Sequence, residues 1–220
     1  MLKYQTELLN LNIEGIDIAI ERVTNIDELF ERLIAKGDVH EDMLDERIPY
    51  WAELWASALA MSQYLVQSKM DWTDKKVLEI GAGLGLPSIV AGKLGATAVT
   101  VSDYLPEALD FAEKNWNRNN THQANFVTMD WRNPDVTLAA DVLLAADIAY
   151  EQRMFESLPL AFKALSKKGG TILLTEPSRG FAQDFIKELA NQGFKIEKKV
   201  MQIELFGLKQ DVNLLIMSIL

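Results

Sequence analysis

The spacing of apolar positions divides the chain into three stretches. From Leu8 to Val23 two alternating runs, LLNLNI and IDIAIERV, are separated at Glu14-Gly15. Period-two alternation around a tight turn predicts a β-hairpin. Helical spacing follows, with Ile26, Leu29, Phe30, Leu33 and Ile34 on one face. Asn25, with Glu28 three positions on, has the form of a capping box. The segment from Asp38 to Arg47 reads as an acidic loop, and a second helix is predicted from Ala52 through Leu59, Tyr64 and Leu65.

Beyond that point short apolar strands alternate with amphipathic helices. The strands are KVLEI (76–80), AVTVS (98–102), NFVTM (125–129), DVLLAA (141–146) and GTILLT (170–175). The helices run from Pro87 to Leu94, Pro106 to Asn119, Arg153 to Leu165 and Phe181 to Asn191. This alternation predicts a mostly parallel sheet covered on both faces. The chain then ends in two strands, FKIEKKVMQIEL and DVNLLIMSIL, joined near Phe206-Gly207. With no helix between them they must pair antiparallel. The expected fold class is therefore α/β: a Rossmann-like, doubly wound, mostly parallel sheet of seven strands with a C-terminal antiparallel hairpin. An N-terminal β-hairpin and helix extension (1–48) precedes the core (49–220), and the whole 1–220 is read as a single domain.

Composition narrows the chemistry. Of 220 residues 49% are hydrophobic and 25% charged, the balance of a folded globular chain. There is no cysteine, which excludes disulfides, zinc-thiolate sites and thiol nucleophiles. His40 and His122 lie far apart, so no metal site is expected from them. The formal net charge of -10 repels phosphate backbones, so nucleic acid is not an expected partner. No run approaches the ~20 apolar residues of a membrane span, and the start lacks signal-peptide character. A cytoplasmic protein that binds no membrane is expected. The acidic residues Asp38, Glu41, Asp42, Asp45 and Glu46 are either a solvated loop or a guide for a basic substrate.

The chemistry-bearing signal is LEIGAGLGLPS (78–88). A strand ends at Ile80, a turn carries Gly81, Gly83 and Gly85, and a helix begins. Glycines let a ligand approach the backbone, and a helix N-terminus presents free N–H groups. A dinucleotide loop would place glycine or alanine at position 86, where this chain has Leu86. Here the spacing is G-x-G-x-G, preceded by Glu79. Asp103 ends the next strand, placed either to accept from ribose hydroxyls or to cap the helix that follows. MDWR (129–132) ends the third, where Asp130 and Trp131 could meet an adenine or form a polar loop.

The set EIGAGLGLPSIVAGKLGA, SD, DW, AADIAYE and EPSR, with PYWAELWASALAMSQYL (49–65) before it, resembles the class I, seven-β-strand protein-lysine methyltransferases. The similarity is to the group that includes the electron-transfer-flavoprotein β-subunit lysine methyltransferase and its bacterial counterparts, and it covers Pro49 to the C-terminus. The resemblance implies S-adenosylmethionine as cofactor, S-adenosylhomocysteine as product and no metal. It places Trp55, Glu79, Gly81, Ala82, Gly83, Gly85, Asp103, Tyr104, Asp130, Trp131 and Ala146 at the cofactor. Asp147 and Tyr150 would lie beside the transferred methyl as catalytic residues. The implied partner is a protein carrying a target lysine. A small amine, nicotinamide-like in class, would use the same residues, and a non-catalytic S-adenosylmethionine-binding interaction protein is the third reading. Cytosine-C5 chemistry is excluded by the missing cysteine, and the Pro-Pro motif of base-amine methylation is absent.

Overall fold

The computed structural model describes residues 4–37, 40–44, 47–150, 154–180 and 182–220. Strands β1 (Thr6–Ile13) and β2 (Ile16–Val23) form the expected hairpin. Its two-residue turn has Glu14 at φ 50° and Gly15 at φ 91°, the paired positive φ of a type I′ turn. Helix α1 (Ile26–Ile34) follows, but not through a capping box. Asn25 Oδ1 accepts the Gln5 N–H at 2.9 Å and its amide donates to Glu28 at 2.7 Å, which ties α1 back to the start of β1.

The stretch read as an acidic loop contains a single helical turn, α2 (Glu41–Leu44). Asp38, Asp45 and Glu46 lie outside the described residues. Asp42 is paired locally with Lys36 and Arg47. The second helix does not begin at Ala52. Pro49–Ala52 is a 3-10 turn, Glu53 is extended at φ -110°, and α3 runs over Ala56–Ser68 with Trp55 as N-cap. The break leaves Tyr50 and Trp51 on the 3-10 turn and Trp55 at the N-cap of α3 instead of together on one α-helix face.

The main sheet holds β3 (Lys76–Ile80), β4 (Ala98–Asp103), β5 (Asn125–Thr128), β6 (Ala140–Ala146), β7 (Ser166–Glu176), β8 (Phe194–Leu205) and β9 (Leu208–Ile219). Their order is β5-β4-β3-β6-β7-β9-β8, parallel as far as β7 and antiparallel beyond. The last strand is thus threaded between β7 and β8. The covering helices are α4 (Leu86–Lys93), α5 (Pro106–Asn119), α6 (Met154–Leu165) and α7 (Ala182–Asn191). Arg153 and Phe181, the expected first residues of the last two, lie outside the described residues. Alternation divides the strands between two cores. Val77, Val142, Leu144 and Leu173 pack with α3, α4 and α5, whereas Leu78, Ile80, Leu143, Ile172 and Leu174 pack with α6 and α7. Among the described residues no helix is long and apolar enough to cross a membrane.

The N-terminal hairpin is fastened to this core by two amide side chains. Counting from the I′ turn, Ala19 and Glu21 occupy sites of β2 whose N–H and C=O point away from β1. Asn115 accepts the Glu21 N–H at 2.8 Å and donates to the Glu21 carbonyl at 3.1 Å. Asn119 does the same for Ala19 at 2.9 Å and 2.8 Å. Four helical residues rise about 6 Å, close to the ~6.7 Å spanned by two strand residues. Asparagines at i and i+4 on α5 therefore imitate a neighbouring strand. Asn115 is fully buried and also donates to the Leu84 carbonyl at 3.3 Å, so Asn115→Leu would strand three backbone groups without water. We expect a loss on the order of 1–3 kcal/mol in denaturant unfolding. A variant within ~0.5 kcal/mol of wild type, the range of neutral surface changes, would show that the hairpin is held by apolar contacts alone.

Candidate active site

A cavity opens at the carboxyl edge of the sheet, where β3 adjoins β6 and the winding reverses, the place where doubly wound sheets bind ligands. Register brings the strand ends level: Ile80 pairs with Ser102 and with Ala145, Asp103 with Thr128, and Ala146 with Thr175. Each strand end contributes to the cavity wall. Gly81, Ala82, Gly83 and Gly85 follow β3; Asp103 and Tyr104 end β4; Asp130 and Trp131 follow β5; Ala146, Asp147 and Tyr150 end β6. Trp55 enters from the loop before α3. All but one of the sequence-predicted site residues thus meet in one place.

The exception is Glu79. Its side chain points to the α4 side, 1% exposed, and accepts the Ser88 N–H at 2.9 Å. It steadies the first turn of α4 from behind the glycine turn. Burial outweighs the hydrogen bonds from Ser88 and pushes its carboxyl up to about 8.

The glycine turn is tight for a reason visible in its neighbours. Gly81, Gly83 and Gly85 have φ of 62°, 53° and 76°. A Cβ on Gly81 would stand 2.6 Å from Ile148 Cγ2 and 3.0 Å from the Trp131 ring. One on Gly83 would stand 3.4 Å from the Trp51 carbonyl. Gly81 is therefore the steric keystone, packed between the DIAY segment and the DW pair. The Gly83 N–H donates to Asp103 Oδ2 at 2.9 Å and the Leu105 N–H to Oδ1 at 3.0 Å. Asp103 fixes the turn beside it and the entry to α5 together. Burial pushes its carboxyl up, against the pull of the N–H groups of Leu105, Gly83 and Tyr104. Asp130, nearer the rim, holds Arg132 at 2.7 Å.

Asp147 has φ 58°, a left-handed conformation, pinned by its N–H donating to the Thr175 carbonyl at 2.8 Å. Its carboxylate does not cap a turn. Oδ1 accepts from Arg179 Nη1 at 2.5 Å and Oδ2 from Ser57 Oγ at 3.3 Å. Burial pushes the acid up and the Arg179 guanidinium pulls it down. Beside it stands an aromatic rim centred on Tyr50, edge-on to Tyr150 at 5.7 Å, Trp55 at 6.1 Å and Phe30 at 5.9 Å. The Trp55 indole N–H donates to the Tyr50 carbonyl at 2.8 Å. Sequence reasoning missed Arg179, Ser57 and Phe30. Only Arg179 had a local signal, the EPSR segment directly after β7. Among the described residues no group of His, Cys, Asp or Glu is arranged to hold a metal.

Comparison with known proteins adds to this geometry. A family described as lysine methyltransferase matches residues 38–192. The chain is 37% identical over 147 residues to protein-lysine methyltransferase METTL21E of Bos taurus, covering 61% of this chain and 50% of that protein. It is 36% identical over 128 residues to histone-arginine methyltransferase METTL23 of Rattus norvegicus, covering 53% and 56% respectively. The chain thus spans about half the length of these curated relatives. In fold it resembles the crystal structure of magnesium protoporphyrin IX methyltransferase (ChlM) from Synechocystis PCC 6803 with bound SAM. That likeness has TM-score 0.59 at 18% identity, over 89% of this chain and 92% of that one.

Glu79 yields a sign-definite prediction. An acid whose folded pKa stands about 8 against an ordinary 4.5 keeps its proton in the fold and loses it on unfolding over the pH range between. Stability is fully present below the lower value and lost as pH rises through the upper one. Glu79→Gln keeps an acceptor for the Ser88 N–H without the charge. Its melting temperature should gain on wild type steadily from pH 5.5 to pH 8.5. Parallel melting curves across that range would place the ionised carboxylate in the fold and refute the shift.

Proposed function

The chain belongs to the lysine methyltransferase family, and from that membership we propose that it transfers a methyl group from S-adenosylmethionine to a lysine side chain of a protein. The observation that carries this reading is the convergence of the glycine turn, Asp103 and Asp147 on one cavity.

The residues present fit the cofactor. Gly81, Gly83 and Gly85 bend the main chain tightly at the start of α4, and the turn lies on the cavity wall. The Asp103 carboxylate lies on the cavity wall, and an ionised carboxylate has about four acceptor positions. Those not taken by backbone N–H groups would receive ribose hydroxyls. Trp131 offers a flat wall and Asp130 an acceptor at the adenine end, with Tyr104 alongside. Trp55 and Ala146 would line the end nearest the methyl. Glu79 belongs to this set only indirectly, through its hold on α4. S-adenosylmethionine supplies, when bound, a methyl carbon activated by its sulfonium.

What remains for the protein is alignment and exclusion of water. Asp147 would hold the acceptor nitrogen by hydrogen bond. Tyr150 and Tyr50 would wall the aliphatic stem, and water would take the proton that the acceptor sheds. The N-terminal extension and the core act as one domain in this reading, because Phe30 of α1 touches Tyr50.

Calorimetry with S-adenosylmethionine tests the cofactor half. Asp103→Ala should weaken binding on the order of 1.5–3 kcal/mol, the range of charge-assisted hydrogen bonds. Unchanged affinity in a folded variant would remove Asp103 from the ribose position. Asp147→Asn tests the other half. Its cofactor affinity should stay near wild type, while transfer of labelled methyl to proteins of a host lysate drops on the order of 10²-fold, as when a reacting group is misplaced. Full transfer would end the catalytic role, and lost cofactor binding would put Asp147 at the wrong end of the cavity.

A further inference from the structure

The EPSR segment stands in no cofactor role, yet the structure builds it into the acceptor end of the cavity. Glu176, 3% exposed, accepts the Asn213 amide with one oxygen and the Arg179 N–H at 3.1 Å with the other. Ser178 between them turns at φ 51°. This staple to β9 delivers the Arg179 guanidinium onto Asp147 Oδ1 at 2.5 Å, where the acid is only 9% exposed. The groups facing that carboxylate are Arg179 from the β7–α7 loop and Ser57 from α3. Tyr150 of its own loop and Tyr50 of the 3-10 turn line the same cavity, and Glu176 sits behind Arg179.

We propose that Arg179 is a positioning residue that makes the site take its acceptor as an uncharged amine, by holding Asp147 in a neutral pair that leaves no net charge for a second cation. The inference rests on the reading of Asp147 as the acceptor-side acid. Two of the carboxylate's acceptor positions are taken, and the others still receive an N–H. An ammonium entering there meets a guanidinium as well as an acid, so its neutral form is favoured. The amine lone pair then forms the N–C bond as the S–C bond breaks. That electron pair stays on sulfur, and the methylated ammonium gives its extra proton to water. A lysine amine can shed its proton in this way. A substrate guanidinium, which stays protonated far above neutral pH, cannot, so the pair selects lysine over arginine.

Arg179→Gln and Arg179→Lys test this alongside Asp147→Asn. Carbon-13 NMR of the Asp147 carboxylate, assigned by its loss in Asp147→Asn, should titrate about one pH unit or more higher in Arg179→Gln than in wild type, the usual scale for losing a contacting cation. An unmoved midpoint overturns the proposal. With labelled S-adenosylmethionine and host-lysate proteins, acid hydrolysis of the wild-type product should yield methyllysine; methylarginine would overturn the selection. Transfer by Arg179→Gln should fall on the order of tenfold at pH 7, with calorimetric cofactor affinity within about twofold, and recover towards pH 9.5 as the amine deprotonates unaided. A wild-type profile, or a loss that pH does not restore, refutes it. Arg179→Lys keeps the charge and should keep the wild-type pH profile. A shifted profile there counts against the proposal even if the glutamine variant fails to fold. Full transfer by Asp147→Asn would fell the underlying reading instead, whereas an inactive Asp147→Asn beside an unaffected Arg179→Gln fells only the role of Arg179.

Discussion

The site depends on one steric constraint, the absence of a side chain on Gly81. The main chain leaving β3 passes so close to Ile148 and Trp131 that a single added carbon would overlap Ile148 at 2.6 Å. Three strand ends are thereby drawn to one point. The turn after β3, the loop after β6 and the loop after β5 are packed on each other instead of projecting separately from the sheet edge. Positive φ at Gly81, Gly83 and Gly85 then sends the chain sharply into α4, and the Gly83 N–H is left directed at Asp103. Close approach and left-handed backbone are both conditions that glycine meets without strain.

Three acids sit around that point in low-dielectric surroundings, and the fold treats each differently. Glu79 accepts the Ser88 N–H and is held so far from water that its proton stays on near neutrality. Asp103 is surrounded by backbone N–H donors, which offset part of its burial. Asp147 has a full counter-charge in Arg179. Burying an unpaired charge is costly, and the three solutions are protonation, backbone dipoles and ion pairing. The differences follow from position. Glu79 faces a helix start behind the turn, Asp103 the N–H groups of the turn itself, and Asp147 the loop that carries Arg179.

The main sheet was legible because its strands are short apolar runs at regular spacing, and because G-x-G-x-G joins strand to helix in a form few other loops share. Both hairpin turns were legible from Gly15 and Gly207, whose two-residue loops leave few alternatives. What was not legible depends on contacts remote in sequence. Asn115 and Asn119 look like ordinary polar positions of an amphipathic helix until β2 lies against them. The early break before α3 turns on the extended Glu53, held by Arg22 from β2. The insertion of β9 beside β7 has no local signature, since a hairpin can dock by either of its strands. Arg179 was visible as a residue but not as a partner, because its target lies 32 positions away.

The two ends of the cavity draw on different parts of the chain. The residues proposed for the cofactor, from Trp55 to Ala146, fall inside the stretch 38–192 that matches the family. The side proposed for the acceptor reaches outside it in both directions. Phe30 of α1 presses its ring edge on Tyr50, which in turn touches Tyr150. Asn213 of β9 anchors Glu176 and through it the backbone of Arg179. The β1–β2 hairpin that leads into α1 is itself fastened by the paired asparagines of α5. The rim proposed for the acceptor is thus set partly by elements outside the matched stretch, and the same anchors reach the glycine turn: Asn115 also donates to the Leu84 carbonyl at 3.3 Å, and Tyr4 meets Trp51, whose carbonyl lies beside Gly83. Variation at that rim is therefore coupled to the glycine turn through α5 and Trp51.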